Sequence, residues 1–177
     1  MKGLDVLVAA IRVLHAQGMR YPVTLIGQGP EHARISGLLA GMPGVELRGW
    51  QAAEDVRAAM RAARMVVIPS VVARSGEAEG LPSVAVEAMG LGTPVIASTD
   101  AGLAGVIDDG VNGLLFRSRD PATLAGRITE LATAPGRALA MGEAGRQTIA
   151  KDFDAARQSA RLQHLLQHVI AAGGTPP

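Results

Sequence analysis

Short apolar runs alternate with longer amphipathic stretches along nearly the whole chain. Residues 23–26 form a compact run of β-branched and apolar residues, which is typical of a buried parallel strand. Residues 3–17, ahead of it, carry apolar side chains at the spacing of one helix face and end before Gly18, a helix stop. The pattern predicts further strands over residues 45–48, 65–68, 94–97 and 114–116. It predicts further helices over residues 53–63, 82–91, 101–107, 120–132, 136–151 and 155–172, and one that opens after residues 27–30 and ends near Gly41.

This alternation of strands and helices predicts an α/β fold, a Rossmann-like parallel sheet flanked by helices on both faces. Neither an internal repeat nor a linker divides the chain, so we expect one domain over residues 1–172 and a frayed tail at 173–177. In such folds ligands bind beyond the carboxyl ends of the strands. We therefore expect a site where the loops after Ile26, Arg48, Ile68 and Ala97 converge.

Composition excludes several classes of function. With 177 residues, a formal net charge of +1 and only four aromatic residues, the chain offers neither a basic field nor a stacking platform for nucleic acid. It has no cysteine, which excludes disulfides and cysteine-ligated zinc. No apolar run reaches the roughly 20 residues that span a bilayer. We expect a cytoplasmic domain and no metal, and His164 and His168, although spaced i, i+4, are expected to be exposed or structural.

The segment from Glu79 to Glu87 carries the chemistry. Pro82 suits the first turn of a helix, which would leave the amides of Ser83 and Val84 free as an anion site aided by the helix dipole. Glu87 would lie about 7.5 Å along that helix, where a carboxylate can accept hydrogen bonds from a vicinal diol such as a ribose. Glu79 lies on the other side of the amides. The order of acceptor, anion site and acceptor matches the sugar, diphosphate and ribose of a nucleotide sugar.

The residues from Glu79 to Ser98 resemble the E-x7-E region of retaining glycosyltransferases of family 4, the group 1 glycosyltransferases, which have the GT-B fold. Other segments that occur in the order of that family are Lys2-Gly3, Gly27-Gln-Gly-Pro30, Leu47-Arg-Gly49, Val67-Ile-Pro-Ser70, Asp109-Gly-Val-Asn-Gly-Leu-Leu115 and Asp120-Pro-Ala-Thr-Leu124. The resemblance covers almost the whole chain and implies the C-terminal, donor-binding half of a GT-B fold.

The resemblance also implies roles at the sugar end of the donor. Glu79 matches the glutamate at the hydroxyls of the donor sugar, and the amides of Gly80 and Leu81 would join it there. The amides of Ser83 and Val84 would meet the diphosphate.

At the nucleotide end, Glu87 matches the glutamate that binds the ribose, and Lys2 resembles the lysine that neutralises the departing diphosphate. Arg48 and Trp50 match by position the edge against which the base lies, and Gly27 and Gly29 belong to the same donor site. The donor would be a UDP- or GDP-sugar, with no further cofactor and no required metal.

Simpler interpretations stay open for most of these residues. Glu77 is a rival to Glu79, Lys2 could be an unattached terminal lysine, and Gly27-x-Gly29 is also explained by a tight turn. Arg48 and Trp50 are more often surface and packing residues. Arg74 is expected to be solvated.

The sequence departs from the family pattern at two places. The family's Gly-Gly-x-x-Glu becomes Gly102-Leu-Ala-Gly105, so support for the loop facing the sugar is in doubt. The strand and arginine that precede the lysine in the family, and the whole acceptor-binding N-terminal domain, are absent ahead of Lys2. Because that strand would be central in a 3-2-1-4-5-6 order, we expect the neighbouring strands to close ranks, or another chain, such as a second copy, to cover the gap.

The resemblance implies retaining glycosyl transfer in a cleft between two domains, so this chain alone is expected to bind donor but not to turn over. The full-length enzyme could lie peripherally at the inner membrane. One alternative is a non-catalytic nucleotide-sugar-binding module or a subunit that works with a separate partner chain. An epimerase of the same fold is a weaker alternative, because we find no acid/base residues beyond the two glutamates.

Overall fold

The computed structural model describes residues 2–73 and 75–171. Met1, Arg74, Ala172 and the predicted tail at residues 173–177 lie outside the described residues. The helices are α1 (Leu4–Ala16), α2 (His32–Leu39), α3 (Ala53–Ala62), α4 (Ser83–Gly90), α5 (Pro121–Thr133), α6 (Pro135–Asp152) and α7 (Ala155–Ala171). The strands are β1 (Val23–Ile26), β2 (Val45–Arg48), β3 (Val66–Ile68), β4 (Val95–Ser98) and β5 (Leu114–Phe116). The five predicted strands are confirmed within one residue at each end.

The predicted helix over residues 101–107 is wrong, because the segment forms turns. Gly102 and Gly105 have φ angles of 67° and 82°, in the left-handed region, and each interrupts a right-handed helix. Within the segment the Ile107 amide donates to the Leu103 carbonyl at 3.1 Å, across a turn that contains Gly105 and is not helical.

The strands pair in parallel, but in two separate sheets. Among the described residues, β1 pairs with β2, and β3, β4 and β5 form a second sheet in that order. The backbone amides of Val23 and Gly27 donate to carbonyls on the side of β2. Because backbone groups alternate along a strand, the N–H and C=O groups of Thr24 and Ile26 face the edge of β1 that lies away from β2. In the same way the backbone N–H and C=O groups of Val67 face away from β4, since the Val66 amide donates to the Pro94 carbonyl. The expectation that neighbouring strands close ranks is therefore not met, and in the described part of the chain β1 and β3 are left as unpaired edges.

Two hydrophobic clusters cover the larger sheet on opposite faces. Ile96 of β4 points into a cluster built with α1, α2, α5 and α6, which also contains Leu25 of β1. Val95 and Ala97, its neighbours in the strand, point into the second cluster, built with α3 and α4. Burial on both faces is the pattern of a parallel α/β sheet, which confirms the predicted fold class.

Asn112 ties the turn before β5 to helix α6. Its side chain is buried, accepts a hydrogen bond from the Asp108 amide at 2.7 Å, and donates to the Val106 carbonyl at 2.9 Å and to Thr148 Oγ1 at 3.0 Å. All the polar atoms of the amide group are thus satisfied, as a buried polar group requires.

Candidate functional site

The carboxylate of Glu79 lies at the carboxyl end of β3, between a cation and a hydroxyl. Lys2 Nζ forms an ion pair with Glu79 Oε1, and Ser70 Oγ donates to Glu79 Oε2. The Glu79 side chain is only 18% exposed, whereas that of Lys2 is 71% exposed. The carboxylate is therefore held in place while most of the lysine side chain still faces solvent. In this structure Lys2 is thus held by its ion pair with Glu79.

These contacts decide the charge of Glu79. Partial burial raises the pKa of its carboxyl, but the hydrogen bonds from Lys2 and Ser70 and the nearby positive charges outweigh burial, and the pKa is lowered. Glu79 is therefore ionised at neutral pH and can only accept hydrogen bonds.

Ser70 and Ser98 form the floor beneath Glu79. Both are buried, and Ser98 Oγ donates to the Ser70 carbonyl, which joins the carboxyl ends of β3 and β4. Sequence reasoning gave neither serine a role. The available signal was that each serine lies within two residues of the carboxyl end of a strand, and that these two ends meet at one edge of the sheet.

Two glycines allow the backbone around Glu79 to pack closely. Gly3 has φ 61°, and a Cβ atom there would lie 1.7 Å from the Pro69 carbonyl oxygen. Gly102 has φ 67°, and its Cβ would lie 2.2 Å from the Gly80 carbonyl oxygen. Gly102 therefore backs the segment that carries Glu79, so that segment has support despite the missing glutamate at Gly105.

The start of α4 is displaced by one residue from the prediction. Pro82 is the N-cap in an extended conformation and not a first-turn residue, since its carbonyl accepts the first intrahelical bond from Ala85 at 3.0 Å. The amides of Ser83 and Val84 belong to the first turn and make no hydrogen bond to the described residues. Gly80 and Leu81, just before the N-cap, are exposed. The helix start thus presents free donors beside Glu79.

Glu87 lies one turn further along α4. Its side chain is exposed and, within the described ranges, makes no hydrogen bond or ion pair. A carboxylate with both oxygens free can accept hydrogen bonds from a diol.

The remaining predicted residues lie on the smaller sheet. The Gly27 amide donates to the carbonyls of Arg48 and Gly49 at 3.1 and 3.3 Å, which closes the loop after β1 against the end of β2. The Arg48 guanidinium binds Glu46 at 2.8 and 2.9 Å, and Trp50 is 73% exposed. The Gly29 carbonyl accepts the amide of His32 at 3.0 Å, so this glycine serves the turn into α2.

The structure thus brings the predicted residues together in two groups. Lys2 and Glu79 are in contact on the larger sheet, and Gly27 and Arg48 are in contact on the smaller one. Neither of the two clefts seen elsewhere on the surface is lined by these residues; one lies beside Asn112 and α6, and the other beside Arg61 and Arg64 at the opposite end of the strands. The candidate site is therefore separate from both clefts.

No group of three or more His, Asp or Glu side chains in the described part of the chain is placed to bind a metal ion. His164 and His168 are exposed on α7 with their Nε2 atoms 3.2 Å apart, and they supply only two ligands. Of the described helices, none has both the length and the apolar character needed to cross a bilayer.

Comparison with known proteins shows to which family this chain is similar. The family model described as "Glycosyl transferases group 1" matches residues 1–134. The chain is 29% identical over 172 residues to the putative colanic acid biosynthesis glycosyltransferase WcaL of Salmonella typhimurium. The aligned region covers 95% of this chain and 42% of that protein.

Solved structures agree in fold. Sucrose-phosphate synthase from Thermosynechococcus elongatus matches with a TM-score of 0.80 and 30% identity, over 97% of this chain and 43% of that one. Anabaena HepE in complex with UDP-glucose matches with a TM-score of 0.77 and 23% identity, over 94% and 45% of the two chains. The chain thus spans less than half the length of each of these proteins.

Proposed function

The chain belongs to the group 1 glycosyl transferases, and on that premise we propose that it binds the nucleotide-diphosphate sugar donor of a retaining glycosyl transfer. The donor lies across the start of α4, and residues 1–172 form the C-terminal donor-binding domain of a larger family 4 enzyme. One observation carries this proposal: the ionised carboxylate of Glu79 is fixed between Lys2 and Ser70 directly before a helix start with free amides.

The helix start suits the diphosphate. The free amides of Ser83 and Val84 point outward at the positive end of the α4 dipole, where a phosphate is favoured. The ammonium group of Lys2 has three donors and uses one on Glu79, so it can also donate to a phosphate oxygen. These groups bind the diphosphate and stabilise the charge that it gains as a leaving group.

The two glutamates bind the two hydroxyl-rich ends of the donor. Glu79, ionised and mostly buried, accepts hydrogen bonds from hydroxyls of the sugar, and the amides of Gly80 and Leu81 lie beside it. Glu87, exposed one turn further along α4, accepts from the ribose. The base then lies toward Arg48 and Trp50 on the smaller sheet, beside the turn at Gly27 and Gly29.

The reaction moves one glycosyl group. The bond from the anomeric carbon to the diphosphate oxygen breaks, a bond to an acceptor oxygen forms on the same face, and the proton of the acceptor hydroxyl passes to the departing diphosphate oxygen. Lys2 and the amides of Ser83 and Val84 receive the leaving diphosphate. The acceptor is bound by a second domain across the cleft, so the chain on its own binds donor without turnover.

The test is a calorimetric binding panel of UDP-, GDP- and ADP-sugars, followed by Glu87→Gln with the tightest donor. Loss of one charge-assisted hydrogen-bond acceptor is expected to weaken binding by roughly 10- to 100-fold. Glu143→Gln, the same change on an exposed face of α6, is the matched control and should leave affinity unchanged. If the Glu87 variant binds as tightly as the parent chain, the ribose assignment is wrong; if no nucleotide sugar binds the parent, the donor-site proposal is wrong.

A further inference from the structure

The loop that delivers Glu79 is held at a second point, away from its carboxylate. This β3–α4 loop comprises residues 69–82 and is described apart from Arg74. Val72 follows Ser70 and Val71 in it, and the next residue, Ala73, donates its amide to the Glu77 carbonyl at 2.8 Å. At Val72, both polar groups of the backbone are bound by residues from other strand ends. The amide donates to Asp100 Oδ2 at 3.2 Å, and the carbonyl accepts from Arg119 Nη2.

Asp100 and Arg119 come from the ends of different strands. Asp100 follows β4 and Arg119 follows β5, so the loop after β3 is bound to the ends of the other two strands of its sheet. Ser118 Oγ also donates to Asp100 Oδ2 at 2.5 Å, and the Ser118 amide donates to Thr99 Oγ1 at 3.1 Å. The hydrogen bond from Ser118, followed by that from the Val72 amide, holds the pKa of Asp100 below its ordinary value, so Asp100 is ionised at neutral pH. The carboxylate therefore has two fixed donors.

Arg119 has an unfavourable backbone conformation. Its φ is 61°, and within the described ranges it is the one non-glycine residue with positive φ. Left-handed backbone is unfavourable for a residue with a Cβ atom, and it persists where the surroundings enforce it and where function uses it. A turn alone would be better served by glycine. Glycine, however, has no guanidinium to bind the Val72 carbonyl.

We propose that Asp100 and Arg119 are positioning residues, which fix the β3–α4 loop and thereby aim Glu79 at the sugar of the donor. This inference rests on the proposed function. They act on the sugar end alone, because the amides of Ser83 and Val84 and the carboxylate of Glu87 belong to α4. Losing them should therefore reduce the affinity for a nucleotide sugar more than for the nucleotide itself.

The test uses Arg119→Gly, Arg119→Ala and the matched control Arg117→Ala, which removes an exposed arginine two residues away. Arg119→Gly relieves the left-handed strain and removes the guanidinium, so it separates a structural role from a positioning role. We expect stability equal to or above that of the parent, faster hydrogen exchange at the amides of Val72 and Ala73, and about fivefold weaker binding of UDP-glucose with UDP binding unchanged. Arg117→Ala should match the parent in all three measurements.

Two results would overturn the proposal. The first is unchanged exchange at Val72 in the Arg119→Gly variant, which would mean that the guanidinium does not hold the loop. The second is a faster-exchanging loop with an unchanged ratio of UDP-glucose to UDP affinity, which would mean that the loop does not aim Glu79. A parent chain that binds neither UDP nor UDP-glucose would contradict the donor-site proposal, and with it the role of aiming at a sugar, while the exchange rates would still show whether Arg119 holds the loop.

Discussion

Replacing Gly102 with alanine perturbs the backbone directly behind Glu79. The new Cβ would lie 2.2 Å from the Gly80 carbonyl oxygen and 2.7 Å from the Glu79 carbonyl oxygen, well inside the about 3.5 Å of ordinary contact. Both atoms belong to the backbone, so no side-chain rotation can relieve the overlap. The β3–α4 loop must move away from the turn at residues 101–107.

Three contributions set the size of the effect. The left-handed φ of 67° destabilises alanine by about 1–2 kcal/mol. The reduced freedom of the unfolded chain offsets about 0.4–1 kcal/mol of this. Displacing close-packed backbone adds about 1–3 kcal/mol. We expect the free energy of unfolding to fall by about 3 kcal/mol, which lowers Tm by about 6–12 °C for a chain of this size.

Gly105→Ala is the control that separates strain from overlap. Gly105 also has positive φ, 82°, but a Cβ atom there would meet no other atom within 4 Å, so only the strain applies. Urea unfolding followed by circular dichroism would give both free energies. UDP-glucose binding would then show whether Glu79 has moved: we expect weaker binding by Gly102→Ala and parent-like binding by Gly105→Ala. Equal loss of stability in the two variants would refute the reasoning that the contact with Gly80 seats the loop.

Two further outcomes are expected from other contacts. The lowered pKa of Glu79 means that its ion pair stabilises the fold above the ordinary carboxyl pKa of 4.5 and that this contribution is lost as pH falls through the lowered value. Urea unfolding should therefore find Glu79→Gln less stable than the parent by about 1 kcal/mol at pH 7, with a smaller difference at pH 3; a difference independent of pH would contradict the ion pair. Asn112→Ala leaves the Asp108 amide and the Val106 carbonyl without their partner and should lower the free energy of unfolding by about 2–3 kcal/mol, whereas a parent-like Tm would show that water replaces the amide.

Much of the fold could be predicted because strands and helices have local signatures in the sequence. The run at residues 23–26 is short and β-branched, and residues 45–48 alternate apolar and polar side chains, so each segment has a local strand signature. The same reasoning predicted a helix over residues 101–107, and that prediction was wrong. Their composition tolerates a helix, but packing against Gly80 requires positive φ at Gly102, and no local pattern reveals that requirement.

The candidate site divides in the same way. Glu79 and Glu87 could be found because they share one helix start and a fixed spacing. The contact between Lys2 and Glu79 joins residues 77 positions apart, and the contact between Arg119 and Val72 joins residues 47 apart. Such contacts depend on the order of strands in the sheet, which periodicity does not encode.

The separation of β1 and β3 has a consequence for how a ligand would act on the molecule as a whole. No backbone ladder joins the two sheets among the described residues, and they are connected by the side chains packed around α1, including Leu25 and Ile96. A donor that contacts Glu79 and Glu87 on one half and Arg48 on the other would bridge this break. Its binding would then fix the two sheets relative to each other, and this ordering would cost part of the binding free energy. The bound chain would be stiffer and more resistant to heat than the free one.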